Sequence, residues 1–135
     1  YSQNLNSLLP QADLVTIHLP LTPTTQNLIG AQQLALMKPG SVVVNVGRGG
    51  IVEEAALFDA LASGHLAGAA TDVFVTEPYV PVAPDKDLRT LPSIVFTPHC
   101  GSDTFEANAR MGSSAAEQAA AFDVGDRTGL HIVPL

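Results

Sequence analysis

A chain of 135 residues, 46% hydrophobic and 14% charged, has the composition of one folded globular domain, which excludes a disordered polymer. Thirteen acidic against six basic residues give a formal charge of -7 with no Lys/Arg cluster, so no nucleic-acid backbone and no anionic membrane is expected as a partner. The single cysteine, Cys100, excludes an intrachain disulfide framework and fits a reducing compartment, making a cytoplasmic location the expectation. No apolar run reaches the roughly 18 residues of a spanning helix, and the opening YSQNLNSLLP lacks the basic start and apolar core of a signal peptide. The chain begins at Tyr1 without Met and enters its pattern in full stride, which reads as a piece of something longer.

In chain order, strands are expected at 14–19 (LVTIHL), 41–46 (SVVVNV), 68–73 (GAATDV) and 94–97 (IVFT). These runs are near-continuously apolar, as in strands buried on both faces, and helical stretches alternate with them; the pattern is a parallel α/β sheet. A short helix is expected at 31–37, ended by Lys38, Pro39 and Gly40. A second, at 53–63, carries acids in its first turn, sets Leu57 and Leu61 on one face and ends at Gly64 in a left-handed cap. Residues 76–92, with four prolines, form one long irregular segment. The last helix, about 104–123, opens with Asp103 and Glu106 at capping-box spacing and carries a small-residue stripe (Ala109, Gly112, Ala116, Ala119) suited either to a close contact with another helix or to the core.

Three polar clusters stand where strand ends should be, and in parallel sheets such ends converge on a crevice: Asn45 to Gly50, then Asp72 with Glu77, then Pro98 to Gly101. Arg48, in a glycine-flanked turn, can present a planar fork to a carboxylate, or it can lie along the surface in solvent. His99 has the side chain best matched to proton transfer near neutral pH, although a lone histidine is more often structural. A carboxylate beside it would orient the ring and stabilise the imidazolium, which singles out Glu77; alone, Glu77 would be a solvated acid. No metal site is expected, because His18, His65, His99 and His131 share no short ligand spacing. Cys100 reads as a buried small hydrophobe rather than a nucleophile. No phosphate-cradling GxxxxGK[ST] loop is present.

Four motifs in order carry a resemblance to a known family: ADLVTIHLPLTPTTQNLI (12–29), MKPGSVVVNVGRGGIVEE (37–54), ATDVFVTEP (70–78) and TPHCGSDTFEANARM (97–111). They resemble the D-isomer-specific 2-hydroxyacid dehydrogenases over nearly the whole chain. The resemblance implies a Rossmann-type doubly wound parallel sheet, incomplete here, as residues 1–102 of an NAD-binding domain. Residues 103–124 would then be an interdomain helix and 125–135 a return toward the substrate domain, poorly protected from hydrogen exchange without that domain. By position, Arg48 would hold the substrate carboxylate and carbonyl, His99 would exchange the proton and Glu77 would orient His99. Asp72 would hold the nicotinamide carboxamide. His18, Leu19, Pro20, Val46, Gly47 and Gly101, with Thr25, Arg48 and His99, would contact the cofactor. Departures from the family pattern are Cys100, in place of an aliphatic residue or alanine, and Val52-Glu53, where the family more often has an Asp or Asn before the Glu; neither falls on Arg48, Glu77 or His99. Glu77 also speaks against the related formate dehydrogenases, which carry glutamine there.

The implied activity is hydride transfer between NAD(H), with NADP not excluded, and a small D-2-hydroxy or 2-oxo acid, in a protein expected to be a homodimer. A nicotinamide-sensing, non-catalytic module like the family's corepressors is the alternative. The GxGxxG turn that holds pyrophosphate is absent, and its place would be upstream of Tyr1, so this piece alone is expected to bind NADH very weakly. Counting strands in the order 3-2-1-4-5-6 makes 14–19 the third and 41–46 the fourth, with a gap of roughly 14 Å between them where two strands are missing.

Overall fold

The computed structural model describes residues 4–126 and 128. Four strands, β1 (Leu14–Ile17), β2 (Val42–Asn45), β3 (Gly68–Thr71) and β4 (Ile94–Phe96), form one parallel sheet in chain order. Ile17, Asn45, Thr71 and Phe96 are successive Cα partners, so the four strands end on one row. Each strand is shorter than its apolar run, which leaves His18, Leu19, Val46 and Asp72 just past the row, at the carboxyl edge.

The strand count is corrected by this topology. Leu14 pairs with Val42 and Ile17 with Asn45, and the ladder is closed by Val42 N–H donating to Asp13 O (3.0 Å) and Val46 N–H to Ile17 O (3.2 Å). No gap separates the two strands. In the 3-2-1-4-5-6 order the fourth and fifth strands are neighbours, as residues 14–17 and 42–45 are here, whereas the third and fourth are not.

The expectation of burial on both faces is also corrected. β2 and β3 bury every second residue, and the edge strands bury less: Leu14 is 57% and Val95 64% exposed. An edge strand lacks a neighbour whose side chains would cover it.

Among the described residues there are four helices: α1 (Leu5–Leu8), α2 (Ala31–Leu36), α3 (Glu54–Ala62) and, in a separate unit, α4 (Phe105–Asp123). α1 runs into a 3-10 turn over Leu9–Gln11, whose Pro10 suits a helix start, and Leu9 is fully buried there. The sequence pattern is too short to signal this piece. α2 ends at Met37, and Gly40 takes a positive φ of 82° in the turn to β2. On α3, Ala56, Leu57 and Leu61 are buried, and Gly64 at φ 74° ends it as expected. The irregular segment holds one 3-10 turn, Leu88–Thr90, which drives Leu88 into the core beside Leu34, Met37, Val43, Ile51 and Leu66. Each such buried side chain contributes about 1.5–3 kcal/mol.

The chain divides into two compact units, 1–99 and 100–135. In the second, α4 buries none of its residues. Its cap is Thr104, whose hydroxyl accepts from Ala107 N–H at 3.1 Å, instead of Asp103, whose carboxylate accepts from the Asn108 amide at 3.1 Å. Cys100 is exposed, contrary to the expected burial: it lies four residues past the end of β4 at Phe96 and is not part of the strand. Of the expected return segment 125–135, all but Gly125, Asp126 and Thr128 lies outside the described residues.

Candidate active site

The arginine turn is built by Asn45, the last residue of β2. Its side-chain oxygen accepts from Gly47 N–H and its amide donates to Arg48 O, both at 3.1 Å, so one side chain closes the turn from both ends. Gly47 is buried there, and a Cβ on it would lie 2.7 Å from Leu19 O; only glycine lets the ends of β1 and β2 approach so closely. Arg48 follows at the surface, with one guanidinium N–H donated back to Gly47 O at 2.8 Å.

At the end of β3, Thr71 bonds Val73 through its hydroxyl (2.7 Å to Val73 O), turning the chain out of the sheet. Asp72 is buried at 8% exposure; its amide donates to Asn45 O at 3.0 Å, and its Oδ1 accepts from the Thr97 hydroxyl. Glu77, farther along the same loop, accepts from Phe74 N–H on Oε1 (2.9 Å) and meets His99 Nδ1 with Oε2 at 2.8 Å. The His99 hydrogen bond, and next the Phe74 amide, hold the Glu77 carboxyl below its ordinary value. Glu77 is therefore a carboxylate at neutral pH and can only accept, so the proton of a neutral His99 sits on Nδ1 and Nε2 is left to exchange a proton with a ligand. His99 sits at φ 54°, a left-handed backbone uncommon outside glycine and costing about 1–3 kcal/mol, of the kind that gathers at functional sites.

The structure thus brings Glu77 and His99 together and sets Arg48, Asp72 and His99 past neighbouring strand ends of one row. His18, whose Nε2 lies 2.9 Å from the Thr16 hydroxyl, Leu19, Pro20 and Val46 stand exposed at the same edge. Thr25 spends its hydroxyl within its own loop, donating to Pro20 O (2.7 Å) and accepting from Thr22 N–H (2.8 Å), so it shapes the Pro20 corner. Gly101 belongs to the second unit. Three features escape the sequence reading. Asn45 is named there only as part of a cluster, although an Asn ending an apolar strand before a Gly turn is a signal for such a closure. Glu54 is buried, whereas an acid in a first turn reads as solvated. Phe74, Tyr79 and Phe96 pack together, with ring centroids 4.8 Å apart for Phe74–Tyr79 and 5.5 Å for Phe74–Phe96, and line a cleft of about 570 Å³ beside Glu77 and His99. Two rings from the loop after β3 and one from the end of β4 leave no periodic trace in the sequence.

Residues 1–101 match the model of the family described as D-isomer specific 2-hydroxyacid dehydrogenase, NAD binding domain. The chain is 47% identical over 114 residues to the D-3-phosphoglycerate dehydrogenase of Mycobacterium bovis, covering 84% of this chain and 21% of that protein. Among solved structures it is similar to the NADPH-dependent glyoxylate/hydroxypyruvate reductase of Sinorhizobium meliloti in complex with NADP and malonate, at TM-score 0.86 and 32% identity over 100% of this chain and 40% of that one. It is likewise similar to the NAD-dependent formate dehydrogenase of Staphylococcus aureus in complex with NAD, at TM-score 0.83 and 36% identity over 97% and 39%. The chain spans about a fifth of the curated relative's length. The likeness across the whole chain also makes the direct β1–β2 pairing an arrangement shared with these proteins. A family model matched over most of the chain, and a fold that carries the same motifs on one sheet edge, place this chain in the D-isomer-specific 2-hydroxyacid dehydrogenase family, within its NAD-binding domain.

Proposed function

We propose that the protein carrying this chain interconverts a D-2-hydroxy acid and its 2-oxo acid with NAD(H) or NADP(H). The observation that carries this reading is the Glu77–His99 pair at 2.8 Å, on the sheet edge that also bears Arg48. Arg48 binds the substrate carboxylate through its planar fork and stabilises charge developing on the reacting oxygen. His99 gives its proton to that oxygen in reduction and takes it back in oxidation, while Glu77 holds the ring's tautomer and stabilises the imidazolium. Formate oxidation needs no such acid–base pair.

The edge fits the nicotinamide end of a dinucleotide. Exposed Leu19 (43%) and Val46 (42%) offer apolar surface for a flat ring, and buried Asp72 supplies a carboxylate suited to a carboxamide. His18, Pro20, Thr25 and Gly47 complete the proposed contacts on this edge. When bound, the nicotinamide supplies or takes the hydride at the carbon bearing the substrate oxygen. Phosphoglycerate, hydroxypyruvate, glyoxylate and lactate-type acids are the substrate classes, in a cytoplasmic homodimer with 103–124 as the interdomain helix. Among the described residues, no helix is long and apolar enough to cross a membrane.

The test is the change in NADH absorbance with a panel of 2-oxo acids and the full-length protein. Turnover with at least one acid is expected. NADH binding without turnover across the panel would favour the nicotinamide-sensing module.

A further inference from the structure

Glu54, in the first turn of α3, is an acid that the reaction does not use, yet it is buried at 7% exposure. Its Oε1 accepts from Val75 N–H at 2.7 Å, and its Oε2 is buried with no hydrogen-bond partner. Burial pushes its carboxyl above the ordinary value. An orphaned carboxylate oxygen in a core is costly, so something must offset it. What Oε1 holds is telling. Val75 is the neighbour of Phe74, and Phe74 N–H is the donor on which Glu77 rests its Oε1. From the other side, Gly49 comes so close that a Cβ on it would lie 1.8 Å from Phe74 O. The Phe74–Val75 peptide is therefore gripped between the arginine turn and α3, and the two carboxylates share consecutive amides of one turn.

We propose that Glu54 is a positioning residue for the Glu77–His99 pair: by pinning Val75 N–H it seats the Phe74–Val75 peptide against Gly49 and keeps the Phe74 amide aimed at Glu77. The same peptide then links the placement of Arg48, one residue before Gly49, to that of Glu77 and His99. The role as a catalytic aid rests on the function proposed above; the geometry itself does not.

The experiment reads geometry without turnover, so that it can fail separately from the dehydrogenase reading. In the full-length protein, hydrogen exchange of the Phe74 amide and the NMR titration of the Glu77 carboxyl are compared for the native chain, Glu54→Leu and Glu54→Gln, with the Val43 amide as a reporter of global stability. Leu fills the apolar site but offers Val75 no acceptor; Gln keeps a carbonyl oxygen there. Glu54→Leu should speed Phe74 exchange about tenfold relative to Val43 and raise the Glu77 titration toward its ordinary value, and Glu54→Gln should restore both. Should Glu54→Leu fail to fold, Glu54→Asp, which withdraws the acceptor by one methylene, is read in the same way. Native Phe74 exchange and native Glu77 titration in the folded variant would overturn the proposal, as would failure of Gln to restore them.

Discussion

Oε2 of Glu77 lies 2.8 Å from Nδ1 of His99, while Oε1 of the same carboxylate takes the Phe74 amide at 2.9 Å. Both bonds favour the ionised acid, and both belong to the folded state alone. The Glu77 carboxyl is held below its ordinary value of 4.5, so its contribution to stability is complete above that value and is lost as pH falls through the lower folded one. Denaturant midpoints measured from about pH 6 down to about pH 3 should fall more steeply for the native protein than for Glu77→Gln once below 4.5. Parallel curves would show that the pair is not formed in solution.

Arg48 is tested through catalysis. Arg48→Ala in the full-length protein should lower kcat/KM for the 2-oxo acid by about 100- to 1,000-fold, with Arg48→Lys recovering only part because an ammonium lacks the fork. An unchanged kcat/KM would remove Arg48 from the site.

Gly49→Ala probes the close approach of the arginine turn to the loop after β3. The added Cβ would lie 1.8 Å from Phe74 O, a backbone atom that cannot swing aside, so one of the two turns has to move. A loss of about 3 kcal/mol in denaturant unfolding is expected, together with weakened turnover. A variant as stable as the native protein would mean that the two turns are farther apart in solution.

Leu9 is fully buried in the core although it lies outside every element expected from the sequence. Leu9→Ala should cost about 2–5 kcal/mol, the range for a large side chain lost from a packed site. Less than about 1 kcal/mol, the order of a surface change, would place the 5–11 segment outside the cooperative core.

Much of this protein is determined locally. The apolar runs at 14–19, 41–46, 68–73 and 94–97, with Gly64 and the 38–40 turn as punctuation, specify strands and helix ends to within a residue or two through periodicity and backbone preference, which act over a few residues. The candidates Arg48, Asp72, Glu77 and His99 are legible because each follows an apolar strand at the edge where parallel strands converge. Other features depended on the tertiary structure. Which strand neighbours β1 is a matter of sheet pairing between distant segments, and counting along the chain misplaced it. The burial of Glu54, the exposure of Cys100 and the joining of Phe74, Tyr79 and Phe96 depend on what other segments bring to the same point. The distance from Glu77 to His99 is likewise decided between a loop after β3 and the end of β4, and only the packed chain sets it at 2.8 Å.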